Sequence, residues 1–331
     1  MTTIRCEIVP VELTPHPNAD QLSITHAFGY PVIVRTDDWR DKAIGCYIPV
    51  DALVPNDDPQ FSFLEGHNRI RARKLRGIFS QGLLIDAPPG SQIGDDVTEL
   101  LRVTKYEPPE PGYSGGHTHG TFTEGATPPS IDVPKYTDIE HLRRYADVFE
   151  PDELVVVTEK IHGASGKWLW YDDQLHVGSM NQWRRDDGNP WWKVVTPEFL
   201  EFVKSVSPCV VYGEVYGSVQ DLKYGHTNGA VSLRLFDVYE PHRGVYADWD
   251  DWTTWASFYG LPSSMIVPVI VRCPFNLEQI MKLAELDSLV GPIGHISEGI
   301  VVKPTIERWD HRVGRVILKL HSQRYLLRRG A

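Results

Sequence analysis

The chain has 331 residues, 41% of them apolar, and carries 33 Lys/Arg against 44 Asp/Glu, a formal net charge of −11. This length allows two domains with sizeable cores, and the acidic balance excludes a uniformly basic surface but not a local cationic patch. No apolar run reaches the roughly 18 residues of a membrane span, and no apolar core behind a basic start marks a signal peptide. Cys6, Cys46, Cys209 and Cys273 are too scattered for a zinc site or a disulfide framework, so a cytoplasmic, non-membrane protein is expected.

Residues 1–105 read as a small β domain. Short apolar runs recur at Ile4–Val11, Tyr30–Val34, Cys46–Val50 and Gly82–Ile85, separated by turn formers such as Pro15-His16-Pro17-Asn18. No long segment of helical period interrupts them, which predicts a small barrel. Arg69, Arg71, Arg73, Lys74 and Arg76 form a dense cationic run. Alternation places Arg69, Arg71 and Arg73 on one strand face, suited to a nucleic-acid backbone. A purely structural barrel is the alternative.

Residues 106–135 are dense in Pro, Gly, Ser and Thr and read as a linker or strap. His117 and His119 within it are expected to be solvated. Residues 136–149 read as a helix, with Asp138 as N-cap and Ile139, Leu142, Tyr145, Ala146 and Phe149 on one face. A second domain, 136–331, then alternates strands and short helices.

Its chemistry centres on Thr158-Glu159-Lys160-Ile161-His162-Gly163. The apolar run Leu154-Val155-Val156-Val157 predicts a buried strand ending at Lys160, with a turn at Gly163. A lysine held rigidly there, and partly desolvated, can serve as an amine nucleophile. A surface lysine at a strand exit is the simpler alternative. Downstream, the turn Gly178-Ser179-Met180-Asn181 can present donors to a ligand. Glu214 lies among apolar neighbours and needs a partner. Phe236 and Asp237 are expected on opposite faces of an alternating strand, with Phe236 able to stack a base. Glu298 opens the strand that carries Lys303, and Lys319 and His321 share a face by period two. From Lys303 to the C-terminus eight Lys/Arg meet only Glu307 and Asp310, a second basic patch. A lysine nucleophile, two carboxylates, further lysines and an aromatic platform describe phosphoanhydride chemistry, in which positioning and charge neutralisation dominate.

The ordered motifs Lys160-Ile161-His162-Gly163, Tyr212-Gly213-Glu214, Leu235-Phe236-Asp237-Val238, Glu298-Gly299-Ile300-Val301-Val302-Lys303 and Leu318-Lys319-Leu320 resemble motifs I, III, IIIa, IV and V of the covalent nucleotidyltransferases. This superfamily includes DNA ligases, RNA ligases and mRNA capping enzymes. His16-Pro17-Asn18-Ala19-Asp20 resembles a turn of tRNA-binding OB modules. The whole chain is similar to the Naegleria/Deinococcus-type RNA ligases, with an OB domain ahead of the transferase domain. Ten residues follow His321, so no OB domain is expected after motif V.

The resemblance implies an α+β fold: an OB-like β-barrel, then an adenylation domain of antiparallel sheets flanked by helices. It implies an ATP-dependent RNA ligase of RNA repair that acts as a monomer and joins 3′-hydroxyl to 5′-phosphate ends. Lys160 would carry AMP covalently. Glu214 would bind the ribose, Phe236 the adenine, and Lys303 and Lys319 the phosphates. Glu159, His162, Gly163 and Asn181 would line the nucleotide, and Glu298 would organise Mg²⁺ or Mn²⁺. Three positions depart from the pattern: His162 stands where many ligases have Asp, Met180 where an arginine is frequent, and His321 at the second cation of motif V. Arg184 or Arg185 could replace the missing arginine. A DNA ligase, a guanylyltransferase and a non-catalytic RNA-binding protein with a degenerate transferase domain are the rival readings.

Overall fold

A computed structural model describes residues 4–106 and 126–328. They form two compact units, residues 4–106 with 326–328, and residues 126–325. Residues 107–125, which include most of the Pro/Gly-rich stretch and both His117 and His119, lie outside the described residues.

The first unit is built from short antiparallel strands. Strand β1 (Glu7–Pro10) pairs with β4 (Ile44–Ile48), which pairs with β7 (Leu83–Asp86). Strands β2 (Leu22–Ala27) and β3 (Tyr30–Arg35) form a hairpin. Period-two alternation sends Cys6, Ile8, Cys46 and Ile48 into one core with Val97 and Leu101. The cationic run leads into a second hairpin, β5 (Arg73–Leu75) and β6 (Ile78–Ser80). Its two-residue turn puts Arg76 and Gly77 at φ 47° and 92°, the backbone twist that a tight hairpin requires.

The second unit is built on two large antiparallel-dominated sheets, and Trp309–Asp310 pairs with Gly314–Arg315 in a small ribbon. The five-stranded sheet contains β8 (Glu140–His141), β9 (Leu154–Lys160), β16 (Val269–Pro274), β17 (Gly299–Pro304) and β18 (Leu318–His321), in the order β8-β18-β17-β9-β16. The six-stranded sheet contains β10 (Gly163–Tyr171), β11 (Gln174–Ser179), β12 (Trp183–Arg184), β13 (Val210–Gly217), β14 (Val231–Glu240) and β15 (Val245–Tyr246), in the order β12-β11-β10-β13-β14-β15. Only two residues separate β9 from β10, so the Lys160-to-Gly163 segment steps directly from one sheet to the other.

Alternation along β9 divides the cores. Val155 and Val157 pack with Ile300, Val302, Leu318 and Ile280 of helix α4 (Leu277–Leu283). Val156 points the other way, into the large core with Trp168, Phe199, Phe202 and Trp252. Helices α2 (Pro197–Ser205) and α3 (Trp249–Phe258) cover that core. Thr196 caps α2 by accepting from the Phe199 N–H, with Pro197 at the first helical position. Trp168 and Trp252 are fully buried, and truncating such a side chain costs about 3–5 kcal/mol. The other face of the six-stranded sheet is covered by residues 126–139, where Tyr136 packs on Leu169, Tyr212 and Tyr246. Among the described residues no helix is long and apolar enough to cross a membrane.

The continuous helix expected over 136–149 does not form. Glu140 and His141 pair in parallel with Leu318 and Lys319, and only one helical turn, α1 (Leu142–Tyr145), and a 3-10 turn follow. The His141 backbone lies in the extended region and precedes α1 in place of the expected cap Asp138. Sheet edge pairing outweighs helical propensity here, and Leu142 and Phe149 still reach the core they were expected to fill.

Candidate active site

Lys160 is the last residue of β9, opposite Gly299 of β17. Its Nζ lies 2.9 Å from Glu298 Oε2. The geometry needs two glycines. A Cβ on Gly163 would sit 2.2 Å from the Val215 carbonyl oxygen, and one on Gly299 2.0 Å from that of Leu320. Gly299 also adopts φ 146°, a conformation open to glycine. Both close approaches lock strand ends together around the lysine.

The surrounding charges pull in different directions. Burial disfavours the Lys160 ammonium, but Glu298 and Glu214 outweigh it and hold its pKa above the ordinary lysine value. Burial likewise opposes the Glu298 carboxylate, yet Lys160 and His321 keep its pKa well below the usual range. Glu214 is pushed up to about 8, chiefly by burial, with Glu298 adding like-charge repulsion. His321 Nε2 lies 3.6 Å from Glu298 Oε1. Burial first, then Lys160 and Lys319, lower its pKa against the pull of Glu298. His141 is held well below the ordinary histidine value by burial and by Lys319, His321 and Arg144. Lys319 therefore stands with Lys160 and with the imidazoles of His321 and His141, whose charged forms burial and these lysines disfavour.

His162 borders the same centre, with its Nδ1 3.8 Å from Glu298 Oε2, and ties it to a further network. Its Nε2 is 2.6 Å from Asp221 Oδ1, and its Nδ1 is 3.0 Å from the Tyr325 hydroxyl. A carboxylate only accepts, so Nε2 carries the hydrogen. The His162 backbone N–H donates to the Tyr224 hydroxyl at 2.8 Å. A carboxylate is thus present beside the motif, one imidazole away on a neighbouring loop. Asp221, Tyr224 and Tyr325 escaped the sequence reading because nothing local in their segments marks them.

Not every expected residue reaches this centre. Glu159 alternates to the opposite face of β9, where it is 2% exposed and accepts from the Ser288 hydroxyl and the Leu289 N–H. Lys303 faces the same side as Lys160 but lies four residues along the paired strands, about 13 Å away at strand rise. It is 4% exposed and held by Asp237 at 2.6 Å and Glu307 at 3.0 Å. Arg315 forks onto the same two acids, and Tyr136 donates to Asp237. This closed cluster needs no phosphate.

Phe236 and Asp237 do not simply face opposite ways. The β13–β14 register shifts at Tyr212/Gly213, which bulges Phe236 out of the ladder. Tyr136 then meets both, with its ring edge-on to Phe236 at 5.0 Å and its hydroxyl on Asp237. Phe236 remains partly exposed, and Asn181 lies exposed at its turn. Arg184, not Arg185, reaches that turn. Its Nη2 is 3.5 Å from Ser179 Oγ and its guanidinium lies over Trp191, whereas Arg185 faces Asp187.

The two basic patches also separate. The C-terminal cations are largely paired: Lys303 and Arg315 as above, Arg308 with Glu153, Arg312 with Asp147 and Arg324 with Asp287. In the first unit Arg69 is diverted to Asp51 at 2.7 Å and stacks on Tyr106 at 3.7 Å. Arg71, Arg73, Lys74 and Arg76 are exposed and have no ion-pair partner among the described residues. His16 Nε2 binds the Leu75 carbonyl and the Asn18 side chain that of Arg76, so the His16–Asn18 turn braces the hairpin tip.

Residues 153–321, which span the whole lysine-to-histidine site, match the family model described as RNA ligase. The chain belongs to the RNA ligase family. Residues 3–87 match an OB-fold domain model. No curated protein matches the chain in sequence. Among solved structures, a mutant of Naegleria gruberi RNA ligase with ATP and Mn is 23% identical, with a TM-score of 0.79 over 97% of this chain and 98% of that one. A second mutant, with AMP and Mn, gives 23% and 0.79 over 98% of each chain. At this identity the likeness establishes the fold, an α+β ligase architecture with an OB-fold unit. In this chain the third residue of the Lys160-Ile161-His162-Gly163 motif is an imidazole that bridges Asp221 and Tyr325.

Proposed function

We propose that this RNA ligase family member uses ATP to seal RNA 3′-hydroxyl and 5′-phosphate ends during RNA repair in the cytoplasm. The observation that carries the reading is the Lys160–Glu298 pair at 2.9 Å, set at a strand end with Glu214 beside it. The Lys160 amine attacks the α-phosphate of ATP, forming a lysyl-N–P bond and releasing pyrophosphate. AMP then passes to the RNA 5′-phosphate, and the 3′-hydroxyl displaces it.

In the free protein Lys160 is stabilised as ammonium, so attack requires that Glu298 let go of it. Among the described residues no three metal-ligating side chains converge. One or two carboxylates fit a divalent cation that keeps water and phosphate ligands. Glu298 would hold such Mg²⁺ or Mn²⁺, which when bound offsets triphosphate charge and competes with Lys160 for the carboxylate. Glu214 takes the ribose and can donate as a neutral acid. Phe236 offers its exposed portion to the adenine, and Lys319 meets phosphate. His162, Gly163 and Asn181 border the nucleotide. Arg71, Arg73, Lys74 and Arg76 of the first unit contact the RNA backbone.

The test is incubation with ATP labelled at the α-phosphate and either metal. Label should remain on the denatured protein and be absent from Lys160→Ala. An unlabelled wild-type protein, or a labelled Lys160→Ala, overturns the reading.

A further inference from the structure

Between α4 and Glu298 the chain makes an excursion whose base is closed by the Asp287–Ile296 bridge and the Ser288 N–H to His295 carbonyl bond. Its tip is apolar and bare. Ile293 is 107% exposed and Leu289 59%. The stretch Ser288-Leu289-Val290-Gly291-Pro292-Ile293-Gly294-His295 has no acid, although the chain has 44. The nearest acid in sequence, Asp287, is paired with Arg324.

The loop is rigidly tied to the catalytic strand. Glu159, next to Lys160, accepts from Ser288 Oγ at 2.6 Å and from the Leu289 N–H at 2.8 Å. Ser288 Oγ in turn accepts the Val290 and Gly291 N–H groups. The His295 ring stacks on Tyr224 at 4.9 Å, and Tyr224 holds the His162 backbone. The loop then runs through Ser297 into Glu298, the partner of Lys160. Lys223, one residue before Tyr224, is exposed and has no ion-pair partner among the described residues. One end of the loop is therefore fixed to Glu159, the neighbour of Lys160, and the other runs into Glu298. A bare aliphatic tip costs solvation in the free protein, and so many anchors on one short loop serve a tip that must hold its position.

We infer that this loop is a wedge that seats Ile293 against the base flanking the break in the nucleic acid being joined, with Lys223 toward the adjoining phosphate. This rests on the RNA-joining reading above. Aliphatic side chains insert between base steps in this way, and a break offers the step most easily opened because its stack is no longer tied through the backbone. Absence of acids at the tip suits approach to phosphates, which an apolar protein partner would not require.

The experiment uses the full chain and a nicked RNA duplex with 2-aminopurine as the base on the 3′-hydroxyl side of the nick, without ATP. Wild-type protein should raise the fluorescence as the base unstacks. Ile293→Ser should abolish the rise and weaken nick binding on the order of tenfold, while Ile293→Leu keeps both. Label transfer from ATP to Lys160 should be unchanged in Ile293→Ser, which shows that the variant is folded. An Ile293→Ser protein with wild-type fluorescence and affinity overturns the wedge. So does a wild-type dimer that Ile293→Ser dissociates, which would make the tip a contact between copies. Failure of the ligase reading would appear separately, as absence of lysyl label in the wild type.

Discussion

Lys160 and Lys303 lie on neighbouring paired strands and face the same side of one sheet, yet they are different groups chemically. Lys303 is shut in at 4% exposure with two acids, and Arg315 balances the charge. Lys160 keeps a side chain 23% exposed with one carboxylate at bonding distance. A closed, neutral cluster leaves its lysine nothing to react with and makes it a structural joint between the two sheets. An open pair with one displaceable partner leaves the lysine available once that partner is engaged elsewhere. Position on a sheet and residue type are the same; the number of partners decides.

The contrast breaks most directly at Lys160. Lys160→Arg should abolish lysyl-adenylate as fully as Lys160→Ala, because a guanidinium does not lose its proton; label retained on denatured protein would show that another group is the nucleophile. On the other side, Asp237→Ala should strand two buried cations and destabilise the fold by about 3–5 kcal/mol, read by urea unfolding. Asp237 is held down to about 2 by Arg315 and Lys303 against the cost of burial. Its folded pKa lies below the ordinary 3.8, so its contribution is complete above about pH 4 and is lost as pH falls toward 2. The stability gap between wild type and Asp237→Asn should therefore narrow over that window.

Glu214 sharpens the comparison with the opposite sign. Its pKa is raised to about 8, so the stability it contributes is present at acid pH and declines as pH rises from the ordinary 4.5 through 8. Glu214→Gln should lack that decline, and thermal unfolding at pH 5 and pH 9 would reveal it. The smallest effects belong to the first unit, where Arg69 repeats the closed case and Arg73 and Arg76 the open one. Alanine at Arg73 or Arg76 should each reduce the salt slope of RNA binding by about 1. Arg69→Ala should leave the slope unchanged and lower stability, since its partners are Asp51 and Tyr106.

Much of this was readable in the sequence where the signal is local. The Val155–Val157 run marked β9, period two placed Lys319 and His321 on one face, and turn residues divided the first unit into short strands. Motif order identified Lys160, Glu214 and Glu298 as belonging together although they are distant in the chain. The reading failed where a long-range partner intervened. The 136–149 helix yielded to pairing with β18, Phe236 to a bulge, and Lys303 and Arg69 to carboxylates outside their own motifs, Asp237 with Glu307 and Asp51.

By itself, then, the sequence determined which strands form, which glycines turn them and which lysine ends β9, because propensity, alternation and steric limits act within a few residues. Only the tertiary structure decided which charges are satisfied. Asp237 takes Lys303 and leaves Lys160 to Glu298, and Asp221, which lies outside every motif, supplies the carboxylate hydrogen-bonded to His162. Electrostatic partnership depends on distance through space and on burial, and neither can be read along the chain.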